Sequence, residues 1–197
     1  MNRHSLAICG VVFAASVLAF TAIRPARGAQ TVGVPSEAAA MRLEQKIRTI
    51  GAADSATPRD RASVEVSELE LESYVLYGMV DELAVRIDAV DLEIGPGTVA
   101  ATADMFIDQD LASSQPLVGP LFEGAHSVFF EGAFQARSGR GTFNLQSVRV
   151  DGITVPVFLV KVLLENLDEP VDLDAPFETP IGIDEVVLLD RSVNVIY

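Results

Sequence analysis

Residues 127–150 have the sequence SVFFEGAFQARSGRGTFNLQSVRV, and this stretch decides the fold. Residues 127–136 contain a valine and three phenylalanines, residue types that favour a strand. Residues 138–141, Ser-Gly-Arg-Gly, supply the turn residues that lead the chain back into a second apolar run at 142–150. Two such runs joined by a short glycine-containing turn predict an antiparallel β-hairpin.

The same pattern extends to both sides of this hairpin. Residues 85–94 alternate apolar and polar side chains, but the phase slips part-way, which predicts a β-bulge or a strong bend. The Gly-Pro-Gly segment at 95–97 predicts a turn, and residues 98–107 the returning strand. Residues 183–189 and 192–197 predict a closing hairpin that ties the end of the chain into the sheet. Together these strands predict an antiparallel meander.

Two helices are predicted before this meander. Residues 37–50 place four apolar side chains on one face with the spacing of an amphipathic helix, which Gly51 is expected to end. Ser67 and Glu70 have the spacing of a capping box, in which each side chain hydrogen-bonds the backbone of the other residue. This pair therefore predicts the start of a second helix.

A third helix is predicted at residues 155–167, with Pro156 in the first turn, where proline is tolerated. Only Lys161, Glu165 and Asn166 are polar within it, so its apolar surface extends nearly all the way round. A helix of this kind must be covered on several sides. Two interpretations stay open, a central core helix and a helix that lines an apolar cavity.

Residues 1–28 have the layout of a secretory signal. A short basic start precedes the uncharged, mostly apolar residues 6–23, and small residues follow. One interpretation is a signal peptide that is removed before Ala29, and the other is an uncleaved anchor with residues 6–23 in the membrane. Both predict an exported protein, periplasmic or extracellular, and the second predicts attachment to the inner membrane.

The remainder divides into a linker and helix at 29–63 and a single α+β domain at 64–197.

Cys9 is the only cysteine and lies in the leader, which excludes disulfides and cysteine-ligated zinc from the exported part. The whole chain carries a net charge of −14, which repels phosphate backbones and argues against nucleic acid as a partner. This charge also argues against docking on anionic lipid headgroups through a basic patch.

The sequence contains no catalytic or cofactor-binding motif, so we expect neither an enzyme nor a bound cofactor. His126 is the only histidine after the leader and is expected to be a solvated residue in a glycine-rich turn. Asp168, Asp172 and Asp174 are weak calcium candidates, because their carboxylates lack the spacing of an EF-hand. A solvated acidic face is the simpler interpretation. A carboxylate-based hydrolase also stays open, because the sequence does not give the distance between two carboxylates.

Three segments resemble parts of small exported bacterial lipid-binding proteins. Residues 66–75, VSELELESYV, resemble their early helix, with Glu72 where that helix has asparagine. Residues 151–156, DGITVP, resemble their entry into a late apolar helix, and residues 175–183, APFETPIGI, resemble the segment before their last hairpin. On these motifs residues 64–197 are similar to TULIP-like (tubular lipid-binding) periplasmic domains.

The resemblance implies a long, strongly curved antiparallel sheet wrapped on the apolar third helix, with an apolar groove between them. The function it implies is non-enzymatic binding of a lipid or another apolar ligand. The candidate residues of the cavity wall are Phe129, Phe158, Leu159, Val162 and Leu163. The alternative is an exported structural or interaction module with a fully packed core, whose acidic residues 165–190 meet a basic partner.

Overall fold

The computed structural model describes residues 33–53, 61–79, 86–107, 124–165, 172–180 and 182–197. The predicted signal or anchor at 1–28 lies outside these residues, as do Asp168 and the side chain of Leu163. Within the described ranges, no helix is long and apolar enough to cross a membrane.

The described residues form mostly antiparallel β-sheet with a few short helices, and the sheet is open and uncurled. Its strands are β1 Ser63–Ser67, β2 Arg86–Gly95, β3 Thr98–Ile107, β4 Gly124–Arg137, β5 Arg140–Val150, β6 Ile153–Thr154, β7 Phe177–Glu178, β8 Glu185–Leu188 and β9 Ser192–Ile196. Their order is β1-β9-β8-β4-β3-β2, with β5 also beside β4, and β6 and β7 beside β5. The antiparallel meander is confirmed, and so is the closing hairpin that ties the chain end into the sheet.

Strand β4 is the centre of the sheet because it pairs with three other strands. On one side it lies beside β5 from Val128 to Arg137. On the other side it pairs with β3 from Gly124 to Ala133 and then with β8 at Ala136 and Arg137. Strand β4 therefore joins the β2–β3 hairpin to the group formed by β8, β9 and β1.

Two register shifts interrupt the long strands. The shift between Ile87 and Ala89 confirms the irregularity predicted in β2 from the slip in the alternation. The other lies in β4 between Glu131 and Gly132. A shift of this kind changes which residues of a strand face the core.

Helix α1, Glu37–Ala53, begins where the sequence predicts and extends past the expected end at Gly51. Its buried side chains include Ala40, Leu43 and Ile50, which belong to the predicted apolar face. The prediction of an amphipathic first helix is thus confirmed.

Helix α2, Glu68–Ser73, begins with the predicted capping box of Ser67 and Glu70. The helix continues into one turn of π-helix, Tyr74–Gly78. Because α2 follows β1 directly and lies against β2, it connects the two ends of the strand order.

Helix α3, Val157–Glu165, is not the central core helix that its composition predicts. Val160 is buried, but Phe158, Leu159 and Val162 are 64, 43 and 50% exposed. Apolar composition indicates that burial is favourable, but it does not say how many neighbours the fold supplies. Val160 belongs to the buried core cluster, so the side of α3 that carries it packs on the rest of the domain.

We predict that Gly132→Ala lowers the free energy of unfolding by about 1–3 kcal/mol, the usual cost of overpacking. A methyl group at this position would lie 2.5 Å from the Phe143 ring and 2.7 Å from the Asn144 carbonyl oxygen, and the backbone oxygen has little room to move. Urea unfolding measures the loss. Gly51→Ala is the control, because nothing lies within 4 Å of its added methyl group and alanine favours helix. Equal losses in both variants would contradict the prediction.

Candidate ligand cavity

An apolar cavity of about 240 Å³ lies between α1, α2 and one face of the sheet. Its lining comes from both helices, the π-helical turn, strands β1, β2, β3, β4, β8 and β9, and the segment before β8. Among the described lining side chains, only Tyr74 and Thr179 carry a polar group, a hydroxyl in each case. An engineered apolar cavity of roughly 150 Å³ stays dry and binds benzene. The present cavity has room for a larger apolar ligand.

Small side chains on β3 create much of this space. Ala101 lies opposite Leu92 of β2 and Phe130 of β4, and Ala103 lies opposite Val128. Both alanines are buried and line the cavity. Because each contributes only a methyl group between strands that carry large side chains, the sheet has a depression that α1 and α2 cover.

The helices form the roof of the cavity. Helix α1 contributes Leu43, Ile47 and Ile50, and α2 contributes Leu71. The predicted apolar face of α1 is therefore the face that covers the cavity. Val75, in the π-helical turn, extends the roof and is itself buried.

The closing hairpin and the segment before it form one end of the cavity. Val186 of β8 and Val193 of β9 line it together with Pro180 and Ile183. These four residues are half-buried, so this wall of the cavity is also part of the protein surface. The Thr179 hydroxyl donates a hydrogen bond of 3.4 Å to the Ile183 carbonyl oxygen, which holds the segment in its bend.

Two buried carboxylates of α2 cover the edge of β2 beside the cavity. Glu68 accepts a hydrogen bond from the Ile94 N–H, and Glu72 accepts one from the Leu92 N–H, each at 2.8 Å. The four-residue spacing places both carboxylates on one side of the helix. The two-residue spacing places both N–H groups on the same edge of the strand. The carboxylates thus take the place of the carbonyl groups that a further strand would supply.

Arg191, in the β8–β9 turn, belongs to the same cluster. Its Nε donates to Glu68 at 2.9 Å, and its backbone N–H donates to the Ile94 carbonyl at 2.9 Å. Burial raises the pKa of Glu72; Asp91 and Glu68 raise it further, while the Leu92 N–H and Arg191 oppose the shift. The net pKa shift is upward, which means that the fold favours the protonated form of Glu72.

Glu70 joins α2 to α1 across the roof. Its two carboxylate oxygens accept hydrogen bonds of 2.8 and 2.7 Å from Lys46 Nζ, and one also accepts from the Ser67 N–H at 3.0 Å. Burial alone would raise the pKa of Glu70, but the hydrogen bonds from Lys46 and Ser67 outweigh it and hold the pKa below its ordinary value. This carboxylate is therefore a charged structural group.

Of the candidate wall residues named from the sequence, the four whose side chains the structure describes do not line this cavity. Phe129 precedes Phe130 on β4 and points to the opposite face of the sheet, where the Arg149 guanidinium stacks 4.3 Å from its ring centroid. The other residues whose placement is described are Phe158, Leu159 and Val162, all exposed on α3.

The described calcium candidates have partners within the protein. Asp172 accepts hydrogen bonds from the backbone N–H groups of Asp174 at 2.9 Å and Ala175 at 3.3 Å. Asp174 accepts hydrogen bonds of 2.7 Å from Lys161 Nζ. In the part of the chain that the structure describes, no three metal-ligating side chains come together. The two carboxylates hold the turn near α3.

His126 is not the solvated turn residue that the sequence predicts. It lies on β4 with only 12% of its side chain exposed, and its Nδ1 lies 2.7 Å from Asp151 Oδ2. Asp151 also accepts a hydrogen bond of 3.0 Å from the Ser127 N–H. The hydrogen bonds from His126 and Ser127 lower the pKa of Asp151. The pair thus holds the turn after β5 against β4.

The residues that the sequence did not reveal are Ala101 and Ala103, which line the cavity, and Glu68 and Glu72, which cover the β2 edge beside it. Two alanines at alternate positions of a strand were the available signal, because they face the same side. Two glutamates four residues apart on a short helix were the other. No family model, curated protein or solved structure matches this chain.

Proposed function

We propose that this chain is an exported, non-enzymatic protein that binds a lipid or another apolar ligand between α1, α2 and the sheet. The observation that carries the proposal is the apolar cavity of about 240 Å³. Burial of apolar ligand surface supplies about 25 cal/mol per Å², before the costs of ordering the ligand and the protein are subtracted. Because the lining has few polar groups, few hydrogen bonds to water are lost when such a ligand enters.

The leader and the motif resemblance support the rest of the proposal. Residues 1–28 have the pattern of a signal peptide or anchor, which favours export. The segments that resemble TULIP-like domains favour a lipid as the ligand. A carrier is useful in an aqueous compartment because an apolar molecule is poorly soluble there.

The alternative function, a module with an acidic partner-binding face, receives less support from the structure. Several acids of that region are paired within the chain: Asp174 with Lys161, Asp184 with Arg61 and Glu185 with Arg137. These pairs offset part of the charge that a basic partner would meet.

Ala101→Phe tests the proposal by placing a ring in the cavity. We expect uptake of the neutral fluorescent probe N-phenyl-1-naphthylamine to fall at least tenfold. The free energy of unfolding should stay the same or rise, because the added ring occupies empty apolar space. Fluorescence titration and urea unfolding measure the two quantities on the same samples.

Ala100→Phe is the matched control, because Ala100 neighbours Ala101 on β3 but points to the other face of the sheet and is not among the lining residues. This control should retain uptake. Absence of uptake by the unmodified chain, or equal losses in both variants, would overturn the proposal. Unfolding of Ala101→Phe alone would show a core that is already filled.

A further inference from the structure

We propose that the cavity selects uncharged ligands, namely aliphatic lipids whose only polar group is a hydroxyl, carbonyl or ester. This inference rests on the proposed binding function and names its ligand class. The described lining contains no Lys, Arg, His, Asp or Glu. A charged headgroup drawn into this space would lose its hydration without gaining a counter-ion, and such a transfer is strongly unfavourable.

The basic side chains that lie within two residues of the lining all form ion pairs within the chain: Arg42 and Lys46 with Glu70, Arg48 with Glu44, Arg86 with Asp88 and Arg191 with Glu68. Lys46 precedes the lining residue Ile47 and donates to both oxygens of Glu70. Arg191 lies in the turn between two lining strands and pairs with Glu68. Both glutamates are buried. A ligand carboxylate or phosphate that recruited Lys46 or Arg191 would remove a close partner from a buried carboxylate, which is costly.

The same contacts argue against a cationic headgroup. The carboxylate of Glu68 is shared between Arg191 and the Ile94 N–H, and that of Glu70 is held by Lys46. Glu72 accepts from the Leu92 N–H, and a ligand that drew it away would expose a buried edge of β2. A ligand cation that drew Glu68, Glu70 or Glu72 away would therefore break contacts that the carboxylate already makes within the protein.

The two hydroxyl-bearing residues of the lining suit a small neutral polar group. Tyr74 lies in the π-helical turn at the roof, and Thr179 lies at the end formed by the closing hairpin. A hydroxyl group is able both to donate and to accept a hydrogen bond. Thr179 donates its proton to the Ile183 carbonyl oxygen, but its oxygen can still accept a hydrogen bond from a ligand alcohol without any change of net charge.

Three ligands with the same chain and different headgroups test the inference. The full chain is loaded with N-phenyl-1-naphthylamine and titrated at pH 7.5 with 1-dodecanol, dodecanoate or dodecyltrimethylammonium, each kept below its aggregation limit. We expect 1-dodecanol to displace the probe with an apparent Kd at least tenfold lower than that of either ion.

The outcomes separate this inference from the function on which it rests. Equal displacement by all three ligands, or tighter binding of either ion, would overturn the selection of uncharged ligands and leave apolar ligand binding intact. Probe uptake with no displacement by 1-dodecanol would also overturn the inference, since the ligand would not be aliphatic. No probe uptake at all would overturn the proposed function itself.

Discussion

Phe130→Ala is expected to lower the free energy of unfolding by about 3–5 kcal/mol, the usual cost of removing a buried aromatic ring. Phe130 is 0% exposed at the centre of the sheet. Its ring packs edge-to-face on Phe143 with centroids 5.9 Å apart, and its neighbours in register are Ala101 and Val148. Small neighbours such as Ala101 cannot fill the space that the ring leaves, so little of the loss is recovered by relaxation. Urea unfolding measures the difference.

Phe158→Ala is the matched control for this prediction. Phe158 is 64% exposed on α3, so its truncation should change the free energy of unfolding by no more than about 0.5 kcal/mol. A loss in Phe158→Ala equal to that in Phe130→Ala would mean that α3 is the core helix after all. That result would contradict the placement of α3 at the surface.

The local parts of the fold could be predicted because their signals are local. Ser67 and Glu70 form the capping box on their own backbone, within four residues. The turn at 138–139 and the hairpin on either side of it likewise depend on glycine and on neighbouring strands. Such features can be predicted without knowing which segments, distant in sequence, pack against them.

The position of the cavity could not be predicted because it depends on long-range packing. Phe129 and Phe130 are identical neighbours and both are buried, and only the pairing of β4 with β3 and β5 decides that Phe130 lines the cavity. The third helix has few polar residues, yet the cavity is covered by α1 and α2. Hydropathy predicts which segments favour burial, but the order and pairing of the strands determine where the cavity lies.

The roles of Glu68 and Glu72 show the same limit. In the sequence they are two acids on a short helix, which normally indicates a solvated face. In the structure the open edge of β2 provides N–H groups that need acceptors, and burial of the two carboxylates follows.

Glu68→Ala/Glu72→Ala is expected to lower the free energy of unfolding by about 2–6 kcal/mol. The double variant leaves the buried N–H groups of Leu92 and Ile94 without acceptors, at a cost of about 1–3 kcal/mol for each group. Hydrogen exchange should show the reason directly, because the Leu92 and Ile94 amides should lose protection while the Phe130 amide at the centre of the sheet keeps it. Unchanged protection at both β2 amides would contradict this account of the edge.

The pH dependence of single variants separates hydrogen bonding from charge at this edge. The raised pKa of Glu72 means that its contribution to stability is complete below the ordinary glutamate value of 4.5 and is lost as the pH rises through the folded pKa. Glu72→Gln keeps an acceptor for Leu92 without the buried charge, so we expect its stability relative to the unmodified chain to improve as the pH rises above 4.5.

Glu70→Gln should show the opposite dependence. The lowered pKa of Glu70 gives stability that is present above its ordinary value of 4.5 and is lost as the pH falls through the folded pKa. The variant should therefore be less stable than the unmodified chain at neutral pH, and the difference should shrink in acid. Urea unfolding between pH 3 and pH 8 measures both series. Parallel curves for Glu70→Gln and Glu72→Gln would show that the two carboxylates carry the same charge in the fold. Opposite slopes would show that they act differently: Glu70 holds the roof helices together by its charge, and Glu72 covers the strand edge by hydrogen bonding.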